Sequence, residues 1–341
     1  MPKVAEEFSR HRKIFVLPVC AAAMLLAAGS AHAGTPLPDP GTIVTIQTEN
    51  DVFGHTDRNY TAGIRLGVML PTGELPGMLS DLDHSIWGEG LQRLYLDISQ
   101  SLFTPKDTAA VTPDPKDRPY AAVLITRLGI VHTTDLTQSV VGLGLGVLGP
   151  NAEGEQLQNG FHDLIGDPRS NGWHAQIKNM PVVQILAART WRLPLLTVPV
   201  ADLELDAMPS VSGTVGTWLD NVQVGFQLRM GQGLDSDFGP VRMSPGLTGT
   251  DAYMPTRPFV WYVFAGADGQ AIAWDSTLDG NPFRSGPHVS SVPLVGEMEV
   301  GFAIIAYGLR FSYTHVLQTA EFRGQRGGLF QFGSVAVAAR F

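Results

Sequence analysis

The sequence holds a single cysteine, Cys20, in 341 residues. A lone thiol forms no internal disulfide, so neither a cystine scaffold nor dithiol redox chemistry is available. Metal clusters of the zinc type are missing too: no H-E-x-x-H, H-x-H or cysteine cluster occurs. Beyond the N-terminal stretch there is no run of about twenty uninterrupted apolar residues, which excludes a membrane-spanning helix. Positive charge is scarce. Setting aside the four basic and two acidic residues of the first 33 positions takes the formal charge from -9 to 19 basic against 30 acidic residues. That balance argues against nucleic acid as a partner. With 16% charged and 44% hydrophobic residues and 38 glycines, the composition suits neither a disordered chain nor a helical bundle.

What is present begins with an export signal. Lys3, Arg10, Arg12 and Lys13 precede an apolar run over 14–28, and Ala31-His32-Ala33 has the small-x-small form of a cleavage site. The expected division is a removed signal peptide over 1–33, which carries Cys20, and one domain over 34–341. No linker-like change of composition divides the remainder.

That remainder alternates. Tyr60, Ala62, Ile64, Leu66, Val68 and Leu70 interleave with Thr61, Gly63, Arg65 and Gly67, an apolar face against a small and polar one. Equivalent patterns run through 42–51, 94–99, 122–130, 141–147, 222–230 and 307–314. Weaker ones cover 180–191, 203–211, 258–272, 292–303 and 329–341. This predicts about twelve strands long enough to cross a bilayer when tilted. Arginine and glutamine on the polar faces, aromatics near strand ends and a terminal Phe341 on an alternating strand favour an all-β fold, a transmembrane antiparallel up-and-down β-barrel, over a secreted sandwich. The long connections 72–90, 104–119 and 231–257 are polar and rich in Pro and Gly, and are expected on the outer side. Gly144, Gly146 and Gly149 fit a dinucleotide pattern, but they share a period of two with Gly142 and no βαβ unit surrounds them. They mark a strand face that makes room for something bulky, with the helix that follows as the expected occupant.

That helix is predicted just past Pro150, capped by Asn151, in an outer-side loop. Glu155, Gln158, Asn159 and His162 share one face and Leu157, Phe161, Leu164 and Ile165 another. Of the nine histidines only His162 lies in register with amides and an acid; His55, His84, His132, His174, His288 and His315 read as loop or interface residues. No G-x-S-x-G provides a serine nucleophile. A histidine without a nucleophile points to water activated by the imidazole, with a bound hard cation polarising the attacked carbonyl. Calcium suits oxygen donors such as Asp51 and Asn50 at the end of the first strand, and hairpin pairing brings Thr61 close to them. A turn cap, a left-handed residue and a plain strand threonine are the bland readings of the same three positions.

Four blocks in this order, Thr48-Glu49-Asn50-Asp51, Asn59-Tyr60-Thr61-Ala62-Gly63, Asp117-Arg118-Pro119-Tyr120-Ala121 and the 149–166 stretch, resemble the LpxR family of outer-membrane lipid A 3'-O-deacylases. The resemblance implies a twelve-stranded barrel and calcium-dependent hydrolysis that removes the 3'-linked acyloxyacyl group of lipid A. It implies His162 as general base, Asp51 with Asn50 as calcium ligands, and Thr61 in support. Glu155, Gln158, Asn159 and Asp167 are further supporting positions. The family's acidic residue after the histidine falls on Pro168 here, with Asp167 one position away, and its basic pair has no counterpart near Lys106. The expectation is therefore a monomeric outer-membrane hydrolase acting on lipopolysaccharide. An outer-membrane phospholipase, or a structural barrel or pore without enzymatic activity, is the alternative.

Overall fold

A computed structural model describes residues 34–54, 58–243 and 249–341. The expected signal peptide over 1–33, with Cys20, and His55 lie outside the described residues. Thirteen strands are described: β1 Ile43–Asn50, β2 Asn59–Met69, β3 Leu91–Thr104, β4 Ala121–Thr133, β5 Thr137–Leu148, β6 Met180–Trp191, β7 Leu193–Val198, β8 Leu203–Gly216, β9 Leu219–Gln232, β10 Phe259–Asp275, β11 Leu294–Ala306, β12 Leu309–Gln318 and β13 Phe330–Arg340. Sequential antiparallel neighbours, the β1–β13 pairing and the β6–β8 pairing close twelve of them into a barrel. β7 pairs only with the first part of β8, beyond the ring. It escaped the sequence reading because Leu193-Pro194-Leu195-Leu196 does not alternate and its six residues are all exposed.

The alternation is inside out. On β1 and β2, Thr45, Gln47, Glu49 and Arg65 are buried, while Ile46, Ile64 and Leu66 stand about half exposed on the outer face. Ile98, Leu128 and Ile185 continue that outer band. A polar interior wrapped in exposed aliphatics is the arrangement a hydrocarbon surround selects. Closure also leaves no unpaired sheet edge in the ring. No described helix is long and apolar enough to cross a membrane.

Strand parity corrects the sidedness of two connections. Ile43 pairs with both Arg340 and Met69, so the β2–β3 connection lies at the end that carries the chain termini. The β9–β10 connection joins the same end, where Gln232 pairs with Trp261 and Phe259 with Ala306. Of the three long connections only the one after β3 shares the opposite end with the 149–166 stretch. Length and polarity misled because an up-and-down barrel alternates its ends strictly, whatever the loops contain.

The β9–β10 connection folds back into the lumen. Its Asp237 accepts from Arg229 (2.8 Å) and Arg310 (3.2 Å), its Arg242 reaches Glu297 (2.7 Å) and Glu299 (2.9 Å), its Asp251 pairs with Arg65, and its Met243 amide donates to Glu49 (2.8 Å). A cavity of about 180 Å³ remains beside this plug, among Arg65, Tyr95, Asp97 and Arg127. Planar-bilayer recordings of the reconstituted protein should show no steady open channel; a large ohmic conductance would mean the plug is not seated as described.

Two local expectations are also revised. Gly142 and Gly144 face the lumen rather than the helix, and the space over Gly142 and Gly129 is filled by the Tyr95 ring; a Cβ on Gly129 would lie 2.5 Å from it. Tyr307 belongs to the β11–β12 turn instead of β12, with Tyr307 (φ 54°) and Gly308 (φ 76°) both left-handed, as a two-residue hairpin turn requires.

Candidate active site

Helix α1 spans Gly77–Trp87 and α2 spans Gly154–Ile165. α2 does not start with an Asn151 cap. Pro150–Ala152 form a separate 3-10 turn and Glu153, left-handed, precedes the helix without a side-chain cap bond. Asn151 instead exchanges hydrogen bonds with Asn179: its backbone N–H donates to Asn179 Oδ1 (2.8 Å) and its Oδ1 accepts from Asn179 Nδ2 (3.0 Å).

The strand register places the helix against the wall. Asn50 pairs with Ala62, Ala62 with Leu102, and Leu102 with Ala122, all on the outward parity. Leu102 and Ala122 are nevertheless fully buried, with Tyr120, Ala152 and Trp173, in an apolar cluster on the outside of the barrel. Gly154 sits directly over it, where a Cβ would come within 2.4 Å of the Ala122 Cβ and 2.8 Å of the Trp173 ring. α2 thus begins over β4 and also contacts β3.

Its polar face turns toward the protein and its apolar face away. Gln158 and His162 are buried, whereas Leu157, Phe161, Leu164 and Ile165 are exposed. The Trp173 indole N–H donates to Gln158 Oε1 (2.7 Å). Asn159 clasps the Ser170 backbone through both amide atoms, 2.8 and 3.2 Å. His162 Nδ1 lies 2.6 Å from the Pro168 carbonyl oxygen. A carbonyl only accepts, so Nδ1 carries the proton and Nε2 of the neutral ring keeps its lone pair. Position 168, which offers no acidic side chain, orients the imidazole through its backbone. Asp167 is exposed and contributes its amide N–H, which with that of left-handed Gly166 closes the helix on the His162 carbonyl (2.9 and 2.8 Å). Arg169 pairs with Asp163 across the same turn (2.5 Å) and holds that exposed carboxyl below its ordinary range. Glu155 is exposed.

The hairpin residues form a second group. Asn50 ends β1, and its Oδ1 accepts from the Val52 amide (2.7 Å). Asp51, 1% exposed, opens a 3-10 turn and accepts from the Arg58 amide at Oδ2 (2.6 Å). Thr61 is the extra residue of a bulge between Tyr60 and Ala62, and its hydroxyl meets that of Thr104 at 2.5 Å. The bulge re-aims Thr61 out of the regular alternation. These donors are all oxygen, the chemistry of a hard cation. Among the described residues no three His, Cys, Asp or Glu side chains gather as a metal cluster. A cation here would rest on one carboxylate with amide, hydroxyl and backbone oxygens.

The sequence reading did not single out Thr104 or Trp173, whose roles depend on chain-distant register, and it marked Pro168 only for the acidic side chain it lacks, since its role rests on a backbone atom. The 117–121 block proves to be a brace: buried Arg118 pairs with Glu321, donates to Thr277 (2.9 Å) and lies over Phe103, while Tyr120 packs on Trp173. His132, read as a loop or interface residue, is buried against Asp83 (2.7 Å).

Comparisons with known proteins agree with this architecture. The family model described as outer membrane protein LpxR matches residues 17–341. Among solved structures, LpxR from Salmonella typhimurium has 23% identity and a TM-score of 0.71, covering 88% of this chain and 100% of its own. The β domain of the Bordetella autotransporter Brka covers 90% of this chain and 100% of its own at 10% identity, with a TM-score of only 0.42. No curated protein sequence matches. With the match running through every strand and both site groups, the chain belongs to the LpxR family of outer-membrane proteins.

Proposed function

We propose that this protein is a calcium-dependent lipid A 3'-O-deacylase that acts as a single chain in the outer membrane. The observation that carries the reading is His162. A buried imidazole, fixed by a backbone carbonyl in the tautomer of a general base, stands on a helix seated against the lipid-facing side of the wall. Eight residues separate Gly154 from His162, about 12 Å of helix, and neighbouring strands lie about 4.8 Å apart. From its start over β4 across β3, that reach supports His162 arriving near β2 and β1, where Thr61, Asn50 and Asp51 stand.

His162 Nε2 takes a proton from water, and the oxygen attacks the ester carbonyl. The tetrahedral intermediate collapses to a free fatty acid and a sugar hydroxyl, with the proton returned to the leaving oxygen. Asp51 and Asn50 would hold calcium with Thr61 in support, and the ion would supply positive charge for the oxyanion. The outward apolar residues of α2 give acyl chains a surface along which the lipid can approach from the side. This assigns the α2 end to the outer leaflet and the termini to the periplasm.

Mass spectrometry of lipid A from cells expressing the chain tests this. The expected spectrum lacks one acyloxyacyl unit, and Asp51→Ala or calcium chelation restores the intact mass while heat-modifiable mobility shows a folded barrel. Loss of an acyl chain from phospholipid instead would favour a phospholipase. Unchanged lipid A with verified surface protein would end the enzymatic reading.

Gly154→Val probes the seat of the helix. The added side chain meets Ala122 and the Trp173 ring, so α2 must lift from the wall. Activity should fall by an order of magnitude or more, as about 1 Å of misplacement costs roughly 100-fold, with barrel stability little changed. Undiminished turnover would show that contact with the wall does not position His162.

A further inference from the structure

The second helix, α1, is built for a lipid surface at the opposite end of the same two strands. Gln92 and His132 pair across β3 and β4 on the outward parity. Further along that face Leu96 and Leu128 are each 49% exposed, yet Gln92 and His132 are buried. Their cover is α1. Asp83 Oδ2 meets His132 Nδ1 (2.7 Å) and accepts from Gln92 Nε2 (2.6 Å), Ser80 Oγ donates to Gln92 Oε1 (2.7 Å), and the Trp87 ring lies 5.7 Å from the imidazole. A polar latch on the outer wall thus fastens the helix outside the barrel. Its members bond to one another, although Asp83 Oδ1, His132 Nε2 and Trp87 Nε1 find no hydrogen-bond partner among the described residues.

At about 100° per residue α1 divides into three arcs. Ser80, Asp83 and Trp87 form the arc against the wall. Met78, Leu82 and Ile86, exposed to 81%, 56% and 43%, form a second. Asp81 and Ser85, also exposed, form the third. One arc is for protein, one is apolar and one is polar, as a helix lying in a membrane–water boundary requires.

We infer that α1 is an interfacial anchor whose Met78–Leu82–Ile86 arc inserts into the phospholipid surface around the barrel at the end carrying the chain termini. The occupant is lipid because the arc is continuous with the exposed aliphatic band of the same two strands. α1 contains no Lys or Arg, so insertion is driven by apolar burial and not by attraction to anionic headgroups.

The test uses the full chain with Cys20→Ser, reconstituted in phosphatidylethanolamine–phosphatidylglycerol vesicles, with an environment-sensitive fluorophore on Leu82→Cys or Asp81→Cys. Both positions are exposed, so neither substitution disturbs packing. The Leu82 probe should shift to the blue, lose most of its intensity to nitroxide-labelled lipids and behave alike at low and high salt. The Asp81 probe should stay solvent-like and be quenched by iodide. Solvent-like emission from Leu82 would overturn the inference. So would shielding that grows with protein density and resists lipid-borne quenchers, which would give the arc to a second copy.

Discussion

His162→Ala should reduce lipid A deacylation by about 10²–10⁴-fold, the usual contribution of a positioned general base, while leaving the barrel folded. The Pro168 carbonyl, 2.6 Å from Nδ1, orders the imidazole. Removing the ring leaves water and ester in place but nothing to take the proton. Asp167→Ala is the informative companion. Were that carboxylate the group that orients His162, its loss would cost nearly as much as the ring. Because Asp167 contributes its backbone N–H, which alanine retains, activity should stay close to that of the parent. Lipid A mass spectra of both variants, at matched levels of heat-modifiable protein, decide the matter. An inactive Asp167→Ala beside an active His162→Ala would invert the assignment and remove the proposed base.

Arg229→Ala should cost about 3–5 kcal/mol of unfolding free energy, because it strips a buried ion network of one partner. Arg229 is fully buried in the lumen and bonds to Asp206 at 3.0 and 2.5 Å, to Asp237 at 2.8 Å and to the Leu234 carbonyl at 2.7 Å. Asp237 keeps Arg310 and the Tyr262 hydroxyl after the substitution, but Asp206 loses both of those guanidinium bonds. The double variant Arg229→Met with Asp206→Leu removes charge from both sides and should recover much of the loss. Urea-induced unfolding in detergent micelles, followed by tryptophan fluorescence, measures both. A cost for Arg229→Ala within the range of exposed pairs, about 1 kcal/mol or less, would mean that water screens the lumen and the plug is loose.

Both expectations show where reading the chain stops. His162 stood out as the histidine in register with amides, and the structure buries Gln158 and His162 together. Its orienting partner was sought among side chains and turned out to be a carbonyl, which every residue carries and no pattern marks. The arginines of the polar strand faces were legible as lumen-facing, since alternation fixes the side. Their acids were not: Asp237 and Asp251 come from a connection assigned by its polarity to the outer side, which in fact folds back into the barrel. Glycine spacing on β5 announced a bulky neighbour, but that neighbour is Tyr95, two strands away in the ring.

By itself the sequence determined about twelve strands and their inside-out alternation, because period and turn chemistry are local properties of the chain. Only the tertiary structure decided which end each connection occupies, that α2 rests its polar face on the outer wall over Leu102 and Ala122, and which acids meet which arginines. Those depend on ring closure and strand register, which bring together residues as far apart as Ile43 and Arg340 and leave no trace in the spacing of either one.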